Sequence, residues 1–110
     1  MDAQLRALAD PRRRRILELV RDHEATAGAI AAHFEVTRPA ISQHLTVLKQ
    51  AGLLDERRDG TRRLYRAQPA SLLGLKRFVD RFWAEGLTRL KSQAEAEART
   101  DAPRTHDTDP

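Results

Sequence analysis

Two helix starts in close succession constrain this chain more than any other feature of its sequence. Thr26 and Thr37 each precede a helical pattern, and Gly52 follows the end of the second pattern. A threonine side chain accepts hydrogen bonds from the free N–H groups that begin a helix, and glycine adopts the left-handed conformation common just after a helix end. Two such helices joined by a turn of three to four residues are typical of a helix-turn-helix. We therefore predict this motif between residues 26 and 52.

The second of these helices, from Arg38 to Ala51, divides into an apolar half and a polar half at about 100° per residue. The apolar half contains Ala40, Ile41, His44, Leu45, Val47, Leu48 and Ala51. The polar half, which has no acidic residue, contains Arg38, Pro39, Ser42, Gln43, Thr46, Lys49 and Gln50. Hydroxyls, amides and cations contact base edges and phosphates in DNA, whereas an ordinary surface helix usually carries Glu–Lys pairs. We interpret the polar half as a DNA-recognition surface, and a neutral solvated face is the alternative.

A basic hairpin is predicted after this helix. Asp59-Gly60 separates two strand-like runs, 53–58 and 61–66, and Asp-Gly between such runs is a strong hairpin signal. A two-residue turn at Asp59-Gly60 would place Arg57 opposite Arg62, a like-charge pair that destabilises a free hairpin. Nearby phosphates would relieve that repulsion. We therefore expect the hairpin to contact DNA through four arginines, namely Arg57, Arg58, Arg62 and Arg63.

An arginine run lies at the start of a further predicted helix. A short apolar segment stops at Asp10, which can cap a helix that begins at Pro11 and runs to about residue 22. Arg12 to Arg15 crowd the first turn of this helix, where cations oppose the helix dipole. The run is either solvated or neutralised by an anion from outside, and we interpret it as a solvated face.

A long last helix is predicted to begin around Pro69. Its apolar positions recur every three or four residues and are Leu72, Leu75, Phe78, Val79, Phe82, Gly86, Leu87 and Leu90, with Trp83 beside them. This is more apolar surface than a small domain needs for its own core, and pairing with another helix would bury it. We predict helix pairing here, and an intramolecular core helix is the alternative.

The distribution of charge favours an anionic partner. Residues 1–93 contain 18 Lys and Arg residues against 11 acidic ones, a net charge of +7, and 17 of the chain's 20 basic residues are Arg. The planar guanidinium group suits phosphate oxygens. From Ala94 the chain becomes acidic and polar. We therefore predict one folded domain over residues 1–93 and an acidic, disordered tail over residues 94–110.

Composition excludes several classes of protein. The chain has no cysteine, which rules out disulfides, thiolate metal sites and cysteine nucleophiles. No apolar stretch approaches the roughly 20 residues of a membrane helix, and the start lacks the pattern of a secretory signal. We therefore expect a cytoplasmic protein with no membrane partner. Since no nucleophile–base pair, glycine-rich phosphate loop or paired carboxylate is visible, we predict that it is not an enzyme.

Three segments form a specific pattern in their order and spacing: Leu5 to Leu17, Thr37 to Leu54, and Asp59 to Tyr65. Over about residues 4–93 the chain resembles the ArsR family of winged helix-turn-helix repressors, and its ending from Phe82 to Lys91 looks like a subgroup without metal sites. The resemblance implies a mainly α fold with a small β-hairpin, a homodimer formed by the first and last helices, and repression by occupying a promoter palindrome. The dimer contacts it implies are Leu5, Leu8, Phe78, Phe82, Trp83, Leu87 and Leu90.

The positions that bind metal in other members of this family are not matched here. Metal-sensing members carry cysteines near the start of the helix before the recognition helix, where this chain has Thr26-Ala27-Gly28. Other members use histidine and acidic ligands on the last helix, where this chain has Asp80 and Glu85 but no histidine. The four histidines share no helical i,i+3 or i,i+4 pairing. We predict no metal site and no cofactor, and we expect His44 to pack or to touch a phosphate.

Together these inferences predict a dimeric, sequence-specific repressor whose partners are an operator in double-stranded DNA and a second copy of itself. The predicted DNA contacts on the helix are Arg38, Pro39, Ser42, Gln43, His44, Thr46 and Lys49, to which the four hairpin arginines are added. The alternative is a winged-helix module that binds protein or RNA through the same face. A linear loss of log affinity with log salt on duplex DNA, with preference for one sequence, separates the two. The sequence points to no particular small-molecule effector.

Overall fold

The computed structural model describes residues 1–108, with side chains as far as residue 99, and consists of helices and one hairpin. The helices are α1 (Asp2–Leu8), α2 (Pro11–Leu19), α3 (Ala27–Ala31), α4 (Arg38–Gln50), a 3-10 helix (Pro69–Leu72) and α5 (Leu73–Thr108). The antiparallel strands are β1 (Leu54–Asp59) and β2 (Arg62–Ala67). The predicted fold class, mainly α with a small β-hairpin, is confirmed. Residues 1–75 form one compact unit, and a second unit begins at Lys76.

Side-chain caps begin three of the helices, as the sequence predicts. The Asp10 carboxylate accepts from the Arg12 N–H at 2.7 Å, and this bond holds the pKa of Asp10 below its usual value. Thr26 Oγ1 accepts from the Ala29 N–H at 3.1 Å, and Thr37 Oγ1 accepts from the Ala40 N–H at 3.3 Å. Because each cap satisfies a free donor of the first turn, these residues fix where α2, α3 and α4 start.

The helix α2 ends earlier than the sequence predicts, and the connection after α3 is longer than predicted. The backbone leaves helical angles at Val20 (φ −110°, ψ 17°), and the Val20 carbonyl accepts from the Ala67 N–H of β2 at 3.0 Å. After α3, the N–H groups of His33 and Phe34 each donate to a carbonyl three residues back, at 3.0 Å. These tight turns bring Phe34 against the core. The connection between α3 and α4 therefore spans residues 32–37 and is longer than the predicted turn of three to four residues.

The core lies where α1 to α4 meet the base of the hairpin. The apolar half of α4 contributes Ile41, Leu45 and Leu48, all buried. The other buried members of the cluster are Ala7, Ile16, Val20, Ile30, Ala51, Leu53 and Leu54. Since α4 is covered on this side only, its opposite side is left to solvent.

The hairpin, called the wing here (residues 54–67), has a register different from the predicted one. Asp59 pairs with Arg62, so the two-residue loop is Gly60-Thr61 and not Asp59-Gly60. Gly60 has φ +65° at the first loop position, the place that glycine takes in type II′ turns. The shift moves every cross-strand partner by two residues. Arg57 therefore lies opposite Leu64, and the like-charge pair is Arg58 with Arg63.

The base of the wing is fastened to the helical body. Ala25 forms an isolated antiparallel bridge with Tyr65, their N–H and carbonyl groups exchanging bonds of 3.1 and 2.9 Å. Leu54 and Leu64 are buried, and the Gln68 N–H donates to the Leu53 carbonyl at 2.8 Å. The wing therefore shares the core of the domain, which a free two-stranded hairpin would lack.

The chain enters α5 through the 3-10 helix. Gly52, with φ +76°, follows α4, and its carbonyl accepts from Ser71 Oγ at 2.5 Å. A Cβ at Gly52 would lie 2.9 Å from Ser71 Oγ, so this close approach also favours glycine. None of the helices in the described part of the chain has the length and hydropathy that a bilayer crossing requires.

The helix α5 extends through most of the segment for which the sequence predicts a disordered tail. It continues past Gln93 to Thr108, whereas the predicted tail spans residues 94–110. The alternating Ala and Glu residues from 94 to 98 have high helix propensity, which favours continuation of the helix over these five residues. Residues 109 and 110 lie outside the described part of the chain.

Candidate nucleic-acid interface

The solvent-facing side of α4, called the recognition face here, carries every polar residue that the sequence placed there. Its exposed members are Arg38, Pro39, Ser42, Gln43, Thr46, Lys49 and Gln50. Thr46 Oγ1 donates to the Ser42 carbonyl at 3.0 Å, so its hydroxyl proton is used within the helix. Thr46 therefore presents an acceptor oxygen and a methyl group, while Ser42 and Gln43 present donors and acceptors.

The recognition face begins at a groove shared with α3 and the wing. The Arg38 guanidinium packs over Gly28, where a Cβ would lie 3.6 Å from Arg38 Cζ. The residues lining the groove are Thr26, Ala27, Gly28, Arg38, Thr61, Arg62, Arg63 and Tyr65. Three arginines from two separate elements therefore point into one concave surface, an arrangement suited to an anion such as a phosphate.

The four wing arginines differ in their surroundings. Arg57 donates to the Glu24 carboxylate through Nε and Nη2 at 2.5 and 2.8 Å. Arg62 Nη2 lies 2.9 Å from an Asp59 oxygen near the tip, with both side chains more than half exposed. Arg58 is exposed across from Arg63. Arg58, Arg62 and Arg63 thus lie towards the free end of the wing, whereas Arg57, one residue before Arg58 on β1, ties the wing to Glu24.

An acidic side chain links the recognition face to the wing. Lys49 Nζ donates to the Glu56 carboxylate, and Arg63 Nε lies 3.4 Å from the other Glu56 oxygen. The bond from Lys49 is the main reason that the pKa of Glu56 lies below its usual value. Two of the predicted DNA contacts are therefore already bound to the same carboxylate in the free protein.

His44 lies on the opposite side of α4 from the recognition face. It is half-buried, and Arg13 Nη1 lies 3.4 Å from its Nδ1. The sequence left packing and a phosphate contact open for this residue, and its surroundings favour packing.

The arginine run at the start of α2 is only partly a solvated face. Arg13 Nε donates to the Ala7 carbonyl at 2.6 Å and its Nη2 to the Arg6 carbonyl at 3.0 Å, while Arg14 Nη1 donates to the Leu8 carbonyl at 2.7 Å. These carbonyls end α1, where a helix carries partial negative charge. Two of the four arginines therefore cap the preceding helix. Leu8 at the end of α1 and Arg13 in the first turn of α2 are only five residues apart, and this short spacing is the sequence signal that could have predicted the capping.

The predicted dimer contacts on α5 form an exposed apolar stripe. The exposed fractions are 44% for Phe78, 64% for Phe82, 64% for Trp83, 50% for Leu87 and 63% for Leu90. The Phe78 and Phe82 rings stack with centroids 6.1 Å apart. On α1, Leu5 is exposed, whereas Leu8 is half-buried against the core. Large apolar stripes of this kind mark surfaces that bind another protein.

Metal ligation has no visible basis in the part of the chain that the structure describes. No group of three or more His, Cys, Asp or Glu side chains lies close enough there to hold a metal ion.

Comparison with known proteins places these features among bacterial regulators. The model of the family described as "Bacterial regulatory protein, arsR family" matches residues 10–56. The chain is 45% identical over 87 residues to the HTH-type transcriptional regulator Rv2034 of Mycobacterium tuberculosis, covering 79% of this chain and 81% of that protein. It is also 45% identical over 60 residues to the transcriptional repressor SdpR of Bacillus subtilis, covering 54% of this chain and 67% of that protein.

A solved structure gives the same picture of the fold. The homodimeric winged helix-turn-helix DNA-binding domain of Mb0332 from Mycobacterium bovis aligns with a TM-score of 0.60 and 33% identity. The alignment covers 80% of this chain and 82% of that domain. Its description as a possible ArsR-family regulator agrees with the sequence matches.

Proposed function

The chain belongs to the ArsR family of bacterial regulatory proteins, and we propose that this DNA-binding transcriptional regulator is a homodimeric repressor that occupies a palindromic operator. The observation that carries the proposal is the recognition face of α4, whose residues are all exposed and include no acid. The similarity to SdpR, which is named a transcriptional repressor, supports repression over activation. Acting on chromosomal DNA would place the protein in the cytoplasm.

Sequence reading is assigned to the middle of the recognition face. Ser42, Gln43 and Thr46 present hydrogen-bonding groups and a methyl, which distinguish base pairs in the major groove. Arg38 and Lys49 lie at the two ends of the same face, where cations reach the phosphates on either side of the groove. Pro39, in the first turn, offers only apolar contact.

The wing supplies contacts that do not depend on sequence. Arg58, Arg62 and Arg63 lie towards its free end, where they can reach phosphates or a narrow minor groove. Arg57 contributes by holding the wing in place through Glu24. His44 is assigned to the packing of α4 and not to DNA.

The exposed stripe of α5 is assigned to the homodimer. Its members are Phe78, Phe82, Trp83, Leu87 and Leu90, and the exposed Leu5 of α1 is proposed to join them. The similarity to a homodimeric domain supports this assignment. Two recognition helices in such a dimer read half-sites about 34 Å apart, or a multiple of that distance.

The experiment is a selection of bound sequences from duplex fragments of the source genome, followed by titration of the selected operator and a random duplex. We expect an inverted repeat, and Gln43→Ala is expected to cost about 1–3 kcal/mol on the operator and little on the random duplex. Gln93→Ala, the same change at an exposed residue of α5 outside the recognition face and the wing, is the matched control. Repression is then tested with a reporter gene placed behind the operator.

Three results would contradict the proposal. Equal losses on the two duplexes would remove Gln43 from sequence reading. A selection that yields no preferred sequence, with tighter binding to RNA or to a protein, would favour the interaction-module alternative. Higher reporter expression in the presence of the protein would replace repression by activation.

A further inference from the structure

Glu56 occupies an unusual position for an acidic residue in a DNA-binding domain. It lies on β1 of the wing, and its carboxylate binds Lys49 of the recognition face and Arg63 of β2. The side chains of Lys49 and Arg63 are 53% and 56% exposed, whereas that of Glu56 is 14% exposed. The acid is thus set back beneath two cations that face solvent.

The shielded position of Glu56 strengthens the electrostatic effect of its negative charge on groups that approach it. A carboxylate that is largely shielded from water is screened less by salt than an exposed one. The hydrogen bond from Lys49 also keeps the pKa of Glu56 below its usual value, so the group is ionised at neutral pH. A DNA phosphate that approaches Lys49 or Arg63 must therefore replace this carboxylate as the partner of the cation, and it is repelled by the carboxylate as it does so.

We propose that Glu56 is an internal competitor of DNA phosphates for Lys49 and Arg63, and that it limits the sequence-independent binding of this protein to duplex DNA. The inference rests on the proposed function, since it assigns these two cations to the DNA-facing surface. Random sites greatly outnumber any operator in a genome. A carboxylate that holds back phosphate contacts therefore leaves more free protein for the operator.

The experiment measures affinity for a random duplex over a range of salt concentrations with wild type and Glu56→Gln. Glutamine keeps the shape and one acceptor oxygen but removes the charge. We expect Glu56→Gln to bind the random duplex on the order of tenfold more tightly at about 0.1 M salt, with a salt slope steeper by about one to two units. Glu18→Gln is the matched control, because it makes the same charge change on an exposed residue of α2 and should leave the slope unchanged.

A double variant tests whether the gain passes through Lys49. Glu56→Gln alone is expected to gain affinity and salt slope over wild type. If Glu56 competes for Lys49, the double variant Glu56→Gln with Lys49→Gln should lose a large part of that gain. A second measurement does not require any change at Glu56. In the otherwise wild-type protein, Lys49→Gln should lower the slope by clearly less than Arg38→Gln does, because Lys49 is already bound to a carboxylate.

Some outcomes would overturn the inference. A folded Glu56→Gln protein with wild-type affinity and slope on random DNA would show that the carboxylate does not compete with phosphate. So would equal slope losses for Lys49→Gln and Arg38→Gln, a result that stands even if Glu56→Gln fails to fold. All these titrations use a random duplex, so they test the role of Glu56 even if no operator is found. A wild-type protein that binds no duplex at all would instead refute the proposed function.

Discussion

Arg57 and Glu24 form a two-point ion pair between residues 33 positions apart in the sequence. Arg57 lies on β1, and Glu24 precedes Ala25, which bridges to Tyr65 on β2. One short segment between α2 and α3 therefore holds both strands of the wing. The orientation of the wing in the free protein is thus set by a side-chain pair as well as by backbone hydrogen bonds.

This pair predicts a specific pH dependence of stability. The hydrogen bond from Arg57 is the main cause that holds the pKa of Glu24 below its ordinary value of 4.5. A lowered pKa in the folded state contributes stability that is fully present above the unfolded value and is lost as the pH falls through the folded one. We expect Glu24→Gln to unfold more easily than wild type at pH 7, with a smaller further loss on acidification.

Urea denaturation between pH 7 and pH 3 measures this difference. Arg57→Gln is the companion variant, because it removes the partner and should flatten the acid dependence in the same way. A Glu24→Gln profile parallel to that of wild type at every pH would show that the pair has no role in acid unfolding.

The arginine run of α2 predicts that neighbouring residues of the same type differ in their effect on stability. Arg13 donates to the carbonyls of Arg6 and Ala7 at the end of α1, whereas Arg12 is exposed. We expect Arg13→Ala to lower the free energy of unfolding by about 1–2 kcal/mol and Arg12→Ala by less than about 0.5 kcal/mol. Chemical denaturation of the two variants at neutral pH compares them, and equal effects would refute the capping role.

Features encoded by neighbouring residues could be predicted from the sequence. The buried and exposed sides of α4 follow from Ile41, Leu45 and Leu48 at helical spacing, and the caps at Thr26 and Thr37 lie within three residues of the donors they satisfy. Each depends on residues within about two turns of one helix. Side-chain type and spacing alone are therefore sufficient to place them.

Features that depend on distant partners could not be predicted. The hairpin loop is shifted by one residue from the predicted turn, because the bridge at Ala25 and the burial of Leu54 and Leu64 fix the register from outside the turn. The carboxylate that binds Arg57 belongs to Glu24, far along the chain. A sequence pattern shows that arginines are near acids, but only the fold decides which acid each arginine meets.

Substitution of Arg62 at the tip of the wing is predicted to lower DNA affinity without lowering the stability of the fold. Arg62 pairs with Asp59, and both side chains are more than half exposed, so this surface pair adds little to stability. We expect Arg62→Ala to weaken operator and random duplex alike and to lower the salt slope by about one unit. Binding titrations over a salt series, with thermal unfolding of the same samples, test both parts. A variant that is less stable but keeps the wild-type slope would assign Arg62 a structural role.

Divalent metals are predicted not to release the protein from its operator. The chain contains no cysteine, and the described residues contain no group of three or more potential ligands. Zinc, nickel and cadmium titrated into the protein–operator complex are expected to leave the bound fraction unchanged at one equivalent per protomer. Dissociation at that dose, reversed by a chelator, would demonstrate a metal site that the sequence and structure do not suggest.

The apolar stripe of α5 predicts that a single buried charge separates the dimer. Phe82 is 64% exposed and stacks with Phe78, so in a dimer its ring would be covered by the partner. Phe82→Glu would place a carboxylate in that interface, at a cost of several kcal/mol, and should raise the dimer dissociation constant about a hundredfold or more. Thr88→Glu is the matched control, because six residues along the helix turn this exposed side chain by about 240° from Phe82, and its neighbours three and four residues away lie outside the stripe. Sedimentation equilibrium across a concentration series measures both variants. A wild type that is already monomeric at micromolar concentration, or equal dissociation of the two variants, would refute this interface.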